Sequence, residues 1–188
     1  MRLFVALDIP DDVRSRLAAL AASLRPSSRT ARWTRIEGLH VTLKFIGELS
    51  PEKSEAIKAA LAAIPPRSPF SLAFRGLGFF PNERRPRVLW AGVQAGPELA
   101  ALAADVETSL DALGIPRESR AFSPHLTLAR FDSPRGLEAL HSAIEGAAPA
   151  EFGATTAREF HLYQSVLKRG GAEYTRLATF SLSGRAPE

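Results

Sequence analysis

The amino-acid sequence predicts an α+β fold: two pseudo-symmetric β-α-β lobes whose antiparallel-rich sheets face a central cleft. Three observations carry this reading. An order of strand, helix, strand, helix, strand occurs twice along the 188 residues. The copies keep register, because Leu3 to His40 spans 37 positions and Val88 to His125 spans 37 again, an offset of 85. Each copy also carries one His-x-Thr tetrapeptide at its second strand. The expectation is a single duplicated domain over 1–188. Its lobe-forming halves lie near 1–86 and 87–188, with room for strands to exchange between lobes.

Leu3 to Asp8 is an apolar run with β-branched and aromatic members, ended by Pro10, and reads as a buried strand. Asp11 suits a helix N-cap, and Val13, Leu17, Leu20 and Leu24 then share one helical face. Leu39 to Ile46 is the second strand. Ser50-Pro51 supplies a cap and a first-turn proline for a helix bearing Ile57, Leu61 and Ile64, and Phe70 to Phe80 completes the half. The second half begins with a strand over Val88 to Val93. Leu99, Leu102, Val106, Leu110 and Leu113 form the stripe of a helix that Gly114 stops. Leu126 to Phe131 is a strand, Ser133-Pro134 opens a helix with Leu137, Leu140 and Ile144, and strands over Phe160 to Leu167 and Tyr174 to Leu182 close the chain. The polar stretches Arg25 to Arg32, Asn82 to Pro86 and Arg117 to Phe122 read as loops.

Composition sets limits. Without cysteine the chain forms no disulfide, thiolate nucleophile or cysteine-ligated metal site. The formal charge of +4 favours an anionic partner. Arginine supplies 20 of the 24 basic residues, however, and codon bias would produce that skew with no nucleic acid involved. The first apolar run stops at Asp8, too short for the core of a secretion signal, and no stretch reaches membrane-spanning length. The expected setting is the cytoplasm, the expected state a monomer without a protein partner.

The chemistry lies in His40-Val41-Thr42-Leu43 and His125-Leu126-Thr127-Leu128. Side chains on a strand alternate faces, so each His and Thr point one way and each apolar pair the other. The duplication turns the two His/Thr pairs toward each other. Two imidazoles that titrate near neutrality then form an acid and a base, and two hydroxyls donate to phosphate oxygens. In-line displacement at phosphorus needs these groups on opposite sides. With 4 His and 9 Thr in the chain, two His-x-Thr pairs arise by chance about one time in a hundred. The competing reading is a pair of strand histidines satisfied by local hydrogen bonds.

These motifs, together with Phe4-Val5-Ala6-Leu7, Lys44-Phe45-Ile46-Gly47-Glu48, Arg87-Val88-Leu89-Trp90-Ala91-Gly92, Ala129-Arg130 and the closing Leu162-Tyr163-Gln164-Ser165 with Gly170 and Tyr174, resemble the 2H phosphoesterase superfamily. Within it the chain is similar to the RNA 2′,3′-cyclic phosphodiesterases, historically called 2′-5′ RNA ligases. The resemblance implies the 2H phosphoesterase fold, no cofactor and no metal, and a substrate of RNA with 2′,3′-cyclic phosphate ends. Water opens the cyclic phosphate, the bond to O3′ breaks and a 2′-phosphomonoester remains; 2′-5′ ligation is the reverse. It also implies that His40 is the proton donor, that His125 is the proton acceptor, and that Thr42 and Thr127 hold the phosphate. The residues alone leave the order of the two histidines open. Two other functions stay in view, a non-catalytic module that binds RNA ends and a 2H phosphodiesterase acting on a small cyclic nucleotide metabolite.

Other residues are ambiguous. Arg130 stands at an odd offset from His125 and reaches substrate only if a bulge or the strand end re-aims it. Phe45, at the same odd offset from His40, is expected in the core. Lys44, at an even offset, points to the cleft or to solvent. Arg84, Arg85 and Arg87 either edge the cleft or sit in a solvated loop, and Trp33 either stacks on a base or is buried. His141 reads as a surface residue and His161 as structural. Neither has partners at metal-ligand spacing.

Overall fold

Strand β1 (Arg2–Leu7) is apolar after its first residue because both of its faces are covered: Leu3, Val5 and Leu7 enter the main core, while Phe4 and Ala6 pack on the opposite face with Tyr163. The computed structural model describes residues 1–147, 150–169 and 171–183, and Gly170 lies outside them. After β1 come α1 (Asp11–Leu24), β2 (Arg32–Trp33), β3 (Val41–Glu48), α2 (Pro51–Ala62) and β4 (Phe70–Phe80). The second half continues with β5 (Val88–Ala95), α3 (Pro97–Asp111), β6 (His125–Arg130), α4 (Glu138–Gly146), β7 (Glu151–Ala157), β8 (Glu159–Lys168) and β9 (Gly171–Ser181).

The fold is α+β, with two antiparallel sheets. One has the order β3-β1-β8-β9, the other β2-β6-β5-β4-β7. Strand pairing crosses the point between residues 86 and 87. β4 joins β5 in the second sheet, and β8 and β9 join β1 in the first. Each motif strand pairs with the strand that opens its own half, β3 with β1 and β6 with β5. The helical stripes bury Val13, Leu17 and Leu24 from α1, Ile57 and Leu61 from α2, and Leu99, Leu102, Val106 and Leu110 from α3. Each fully buried Leu or Val contributes about 1.5–3 kcal/mol relative to exposure.

Helix α3 ends before Gly114, whose φ of +78° is the left-handed conformation that lets Ile115 N–H return to the Leu110 carbonyl. Two boundaries differ from expectation. Pro10, not Asp11, occupies the N-cap of α1. Helix α4 starts at Glu138, because the Ser133 hydroxyl accepts the Arg135 N–H and closes a separate turn first. Two strands were not visible in the sequence: β2 is two residues long, and β7 (Glu-Phe-Gly-Ala-Thr-Thr-Ala) is too small and polar to show an apolar face. Among the described residues no helix is long and apolar enough to cross a membrane.

Candidate active site

His40 precedes β3 and His125 opens β6, and each ring is tethered the same way. His40 Nδ1 lies 2.7 Å from the Gly38 carbonyl, and His125 Nδ1 lies 2.7 Å from the Ser123 carbonyl, each two residues upstream. A carbonyl only accepts, so Nδ1 carries the hydrogen in both rings. In the neutral form each Nε2 then holds a lone pair that can take a proton, and in the protonated form Nε2 carries one that it can give. Gly38 has a second role. A Cβ there would meet the Tyr174 ring at 2.7 Å, so glycine lets that ring pack beside the tether.

A cavity of about 280 Å³ is lined by both histidines together with Thr42, Thr127 and Arg130. The two motifs, 85 positions apart, thus share one space, and among the described residues no carboxylate lines it. Arg130 makes no ion pair with a described residue. No three His, Asp or Glu side chains converge among the described residues as a metal-binding group would require.

Bulges explain the residues whose offsets looked wrong. In the β5–β6 ladder Leu89 pairs with Ala129 and Trp90 with Thr127, so Leu128 is an extra residue. Leu128 and Ala129 both turn into the core, and Arg130 returns to the cleft side with His125 and Thr127. In the β1–β3 ladder Val5 pairs with Lys44 and Ala6 with Thr42, which leaves Leu43 extra. Leu43 and Lys44 are buried, and Phe45 reaches the cleft 53% exposed. The core placement expected for Phe45 and the cleft or solvent placement expected for Lys44 are both corrected by this one bulge. Phe45 and Arg130 are pseudo-symmetric counterparts, each five residues after its histidine, so one wall is aromatic where the other is cationic.

The histidines differ in their surroundings. His40 stacks on Phe4, with centroids 4.5 Å apart and planes at 26°, and meets the edge of Tyr174 at 5.2 Å. His125 meets Phe80 edge-on at 4.9 Å. Burial is the main reason that the His40 pKa is lowered from 6.5 to about 4. The Gly38 carbonyl and Asp8 oppose that shift, while Arg14 and His125 add to it. His125 is lowered chiefly by burial and further by Arg130, against the Ser123 carbonyl.

The remaining sequence candidates lie elsewhere. Trp33 is half-buried against the core. Arg84 and Arg85 sit in an exposed turn where both backbone N–H groups donate to Asn82 Oδ1, and Arg87 donates to the Asp132 carbonyl. His141 stacks on Phe79 at 4.8 Å. His161 is buried, with Nδ1 3.0 Å from the Thr179 hydroxyl. Sequence reasoning gave no functional role to Phe4, Tyr174 or Arg2, which also line the cavity. The alternation along β1, with Leu3 and Val5 committed to one side, was the available signal for Phe4.

Comparison with known proteins shows the family and the fold. Residues 3–168 match the family model of the 2′-5′ RNA ligase superfamily. The chain belongs to that superfamily. It is 36% identical over 180 residues to the RNA 2′,3′-cyclic phosphodiesterase of Archaeoglobus fulgidus, covering 96% of this chain and 99% of the relative. Its identity to the protein of the same description from Aeropyrum pernix is 37% over 163 residues, covering 86% and 92%. The fold is also that of TT0787 of Thermus thermophilus, with a TM-score of 0.79, 33% identity and coverage of 99% and 100%. E. coli LigT complexed with 3′-AMP superposes with a TM-score of 0.80 at 28% identity, covering 97% and 98%. The 2H phosphoesterase fold expected from the sequence is therefore the fold of this superfamily member.

Proposed function

We propose that this superfamily member hydrolyses RNA ends carrying a 2′,3′-cyclic phosphate to 2′-phosphomonoesters, by acid/base catalysis between His40 and His125. The observation that carries the proposal is the pair of carbonyl-tethered imidazoles lining one cavity with a threonine beside each. In this reading His125 Nε2 takes a proton from water as its oxygen bonds to phosphorus. His40 Nε2–H gives a proton to O3′ as the P–O3′ bond breaks. Thr42 and Thr127 donate to the non-bridging oxygens, and the Arg130 guanidinium neutralises their charge. Replacing water by a ribose hydroxyl and running the step backwards gives 2′-5′ ligation. The enclosed His40 ring suits the donor role: it takes up a proton from solvent when the phosphodiester anion beside it stabilises the imidazolium, and burial makes that proton readily given up.

The deciding experiment incubates the purified protein, in excess chelator, with a short RNA ending in 2′,3′-cyclic phosphate. Quantitative conversion to the 2′-phosphate is expected. A 3′-phosphate product, or turnover only after divalent metal is added, would overturn the mechanism. Comparison with a 2′,3′-cyclic mononucleotide separates an RNA end from a small metabolite as the preferred substrate.

The pH profile should carry the imprint of burial. Both histidine pKa values are lowered in the free protein, His40 to about 4. Since kcat/KM reports the free enzyme, its bell should be centred on the acid side of 6.5. The bound anion favours both imidazolium forms, so the bell in kcat should sit at higher pH. Coincident bells centred above neutrality would contradict the assignment.

A further inference from the structure

The most deeply buried charged side chain among the described residues is not in the cleft. Lys44 is 2% exposed and lies on β3, four residues after His40, turned to the core side by the bulge at Leu43. Its ammonium group is held from several directions. Glu107 Oε1 and Oε2 of helix α3 stand 2.9 and 3.0 Å away, and the Pro116 carbonyl accepts at 2.7 Å. Glu107 in turn accepts the backbone N–H of Glu118 at 3.4 Å.

The sequence positions of these partners matter more than their number. Lys44 belongs to the strand that bears Thr42 and follows His40. Glu107, Pro116 and Glu118 belong to the other half, and Pro116 begins the irregular segment that runs to Ser123, whose carbonyl tethers His125. One ammonium group therefore joins the strand of the first histidine to the segment leading into the second. The contact is one-sided, because the pseudo-symmetric counterpart of Lys44 is Ala129, a fully buried core residue. A buried ion pair of this kind is weak evidence of net stabilisation, since apolar side chains of similar volume often serve as well. It does impose direction and length, which apolar packing does not. Reactions run by two groups across a cleft are sensitive to such constraint, and a misplacement of about 1 Å lowers rate on the order of a hundredfold.

We propose that Lys44 is a positioning residue that, through Glu107 and the Pro116 carbonyl, fixes the spacing of His40 and His125 across the cleft. The proposal rests on the two-histidine reading above. Lys44 touches no reacting atom, because its ammonium group is committed to partners on the core side of β3.

The test is the double variant Lys44→Met/Glu107→Gln, which removes both charges together and leaves no unpaired ion. Thermal midpoint, kcat and KM are measured on a dinucleotide ending in 2′,3′-cyclic phosphate, and the imidazole of His125 is titrated by NMR. The expected result is a midpoint close to wild type, KM within twofold, kcat lowered tenfold or more, and a displaced His125 titration. Glu107→Asp, which keeps the charge, is expected to retain most of kcat. Wild-type kcat in a folded double variant would overturn the proposal. If the double variant does not fold, Glu107→Gln alone decides: lowered kcat at unchanged KM with a displaced His125 titration supports positioning, and unchanged values refute it. Failure of the two-histidine reading looks different, because the wild-type protein itself would then not turn over the dinucleotide.

Discussion

Replacing either motif histidine by alanine is expected to lower kcat/KM by two to four orders of magnitude, the range that a positioned general acid or base supplies. The expectation is large because no third imidazole lines the cavity among the described residues. Among the described residues no carboxylate lines it either. The two substitutions should not add. Acid and base act on one transition state, so once either is gone, removing the second costs little more. Binding should survive, because Thr42, Thr127 and Arg130 still hold the phosphate, and KM is expected to change less than kcat. Fold is a needed control for His40→Ala, since that ring fills the space between Phe4 and Tyr174. His40→Asn keeps the side chain polar and planar while removing the titrating group, and should be equally inactive. A loss of less than tenfold in a folded variant of either histidine would remove that residue from the proton-transfer path and favour an RNA-end-binding module instead.

The offset of 85 positions is legible in the primary sequence, because Leu3 to His40 and Val88 to His125 span the same 37 positions and each span ends on a His-x-Thr tetrapeptide. Alternation along a strand then placed Thr42 and Thr127 beside their histidines. The same rule misplaced Lys44 and Phe45, because it assumes an unbroken ladder and each motif strand carries a bulge just after its threonine. A bulge is a property of the pair of strands and leaves no local signature in Leu43 or Leu128. Arg130 shows the converse case. Its odd offset argued against cleft access, and an extra residue in the ladder restored it. Sheet membership was illegible for a similar reason. Whether β4 pairs within its own half or crosses to β5 depends on long-range register, which no local pattern encodes. The aromatic wall around His40 draws Phe4 from β1 and Tyr174 from β9, residues 170 positions apart with nothing in the sequence to join them.

Acidification should destabilise the protein through the same enclosure that tunes the site. The ordinary histidine pKa is 6.5, and that of His40 is lowered to about 4 in the folded protein, mainly by burial. Between those values the unfolded chain binds a proton at His40 that the folded protein does not. Stability is therefore fully present above about pH 6.5 and declines as pH falls toward 4. Below that the folded protein takes up the proton too, and the contribution levels off. A separation of this size corresponds to a loss of about 3 kcal/mol, a large share of the roughly 5–15 kcal/mol typical of a folded domain. His125 and His161 are shifted in the same direction, so the decline of the whole protein should be steeper still. The contribution of His40 is isolated by urea unfolding of wild type and His40→Gln at about pH 7 and about pH 4.5. Carboxylates common to both proteins cancel in the difference, and the variant should lose less stability over this pH interval by roughly 2 kcal/mol, most of the full contribution. Phe4→Ala tests the cause. Opening the stacked face hydrates the ring, so the His40 titration followed by NMR should move up toward 6.5. If wild type and His40→Gln lose the same stability, the ring is hydrated in the folded protein, and the aromatic enclosure does not govern its charge.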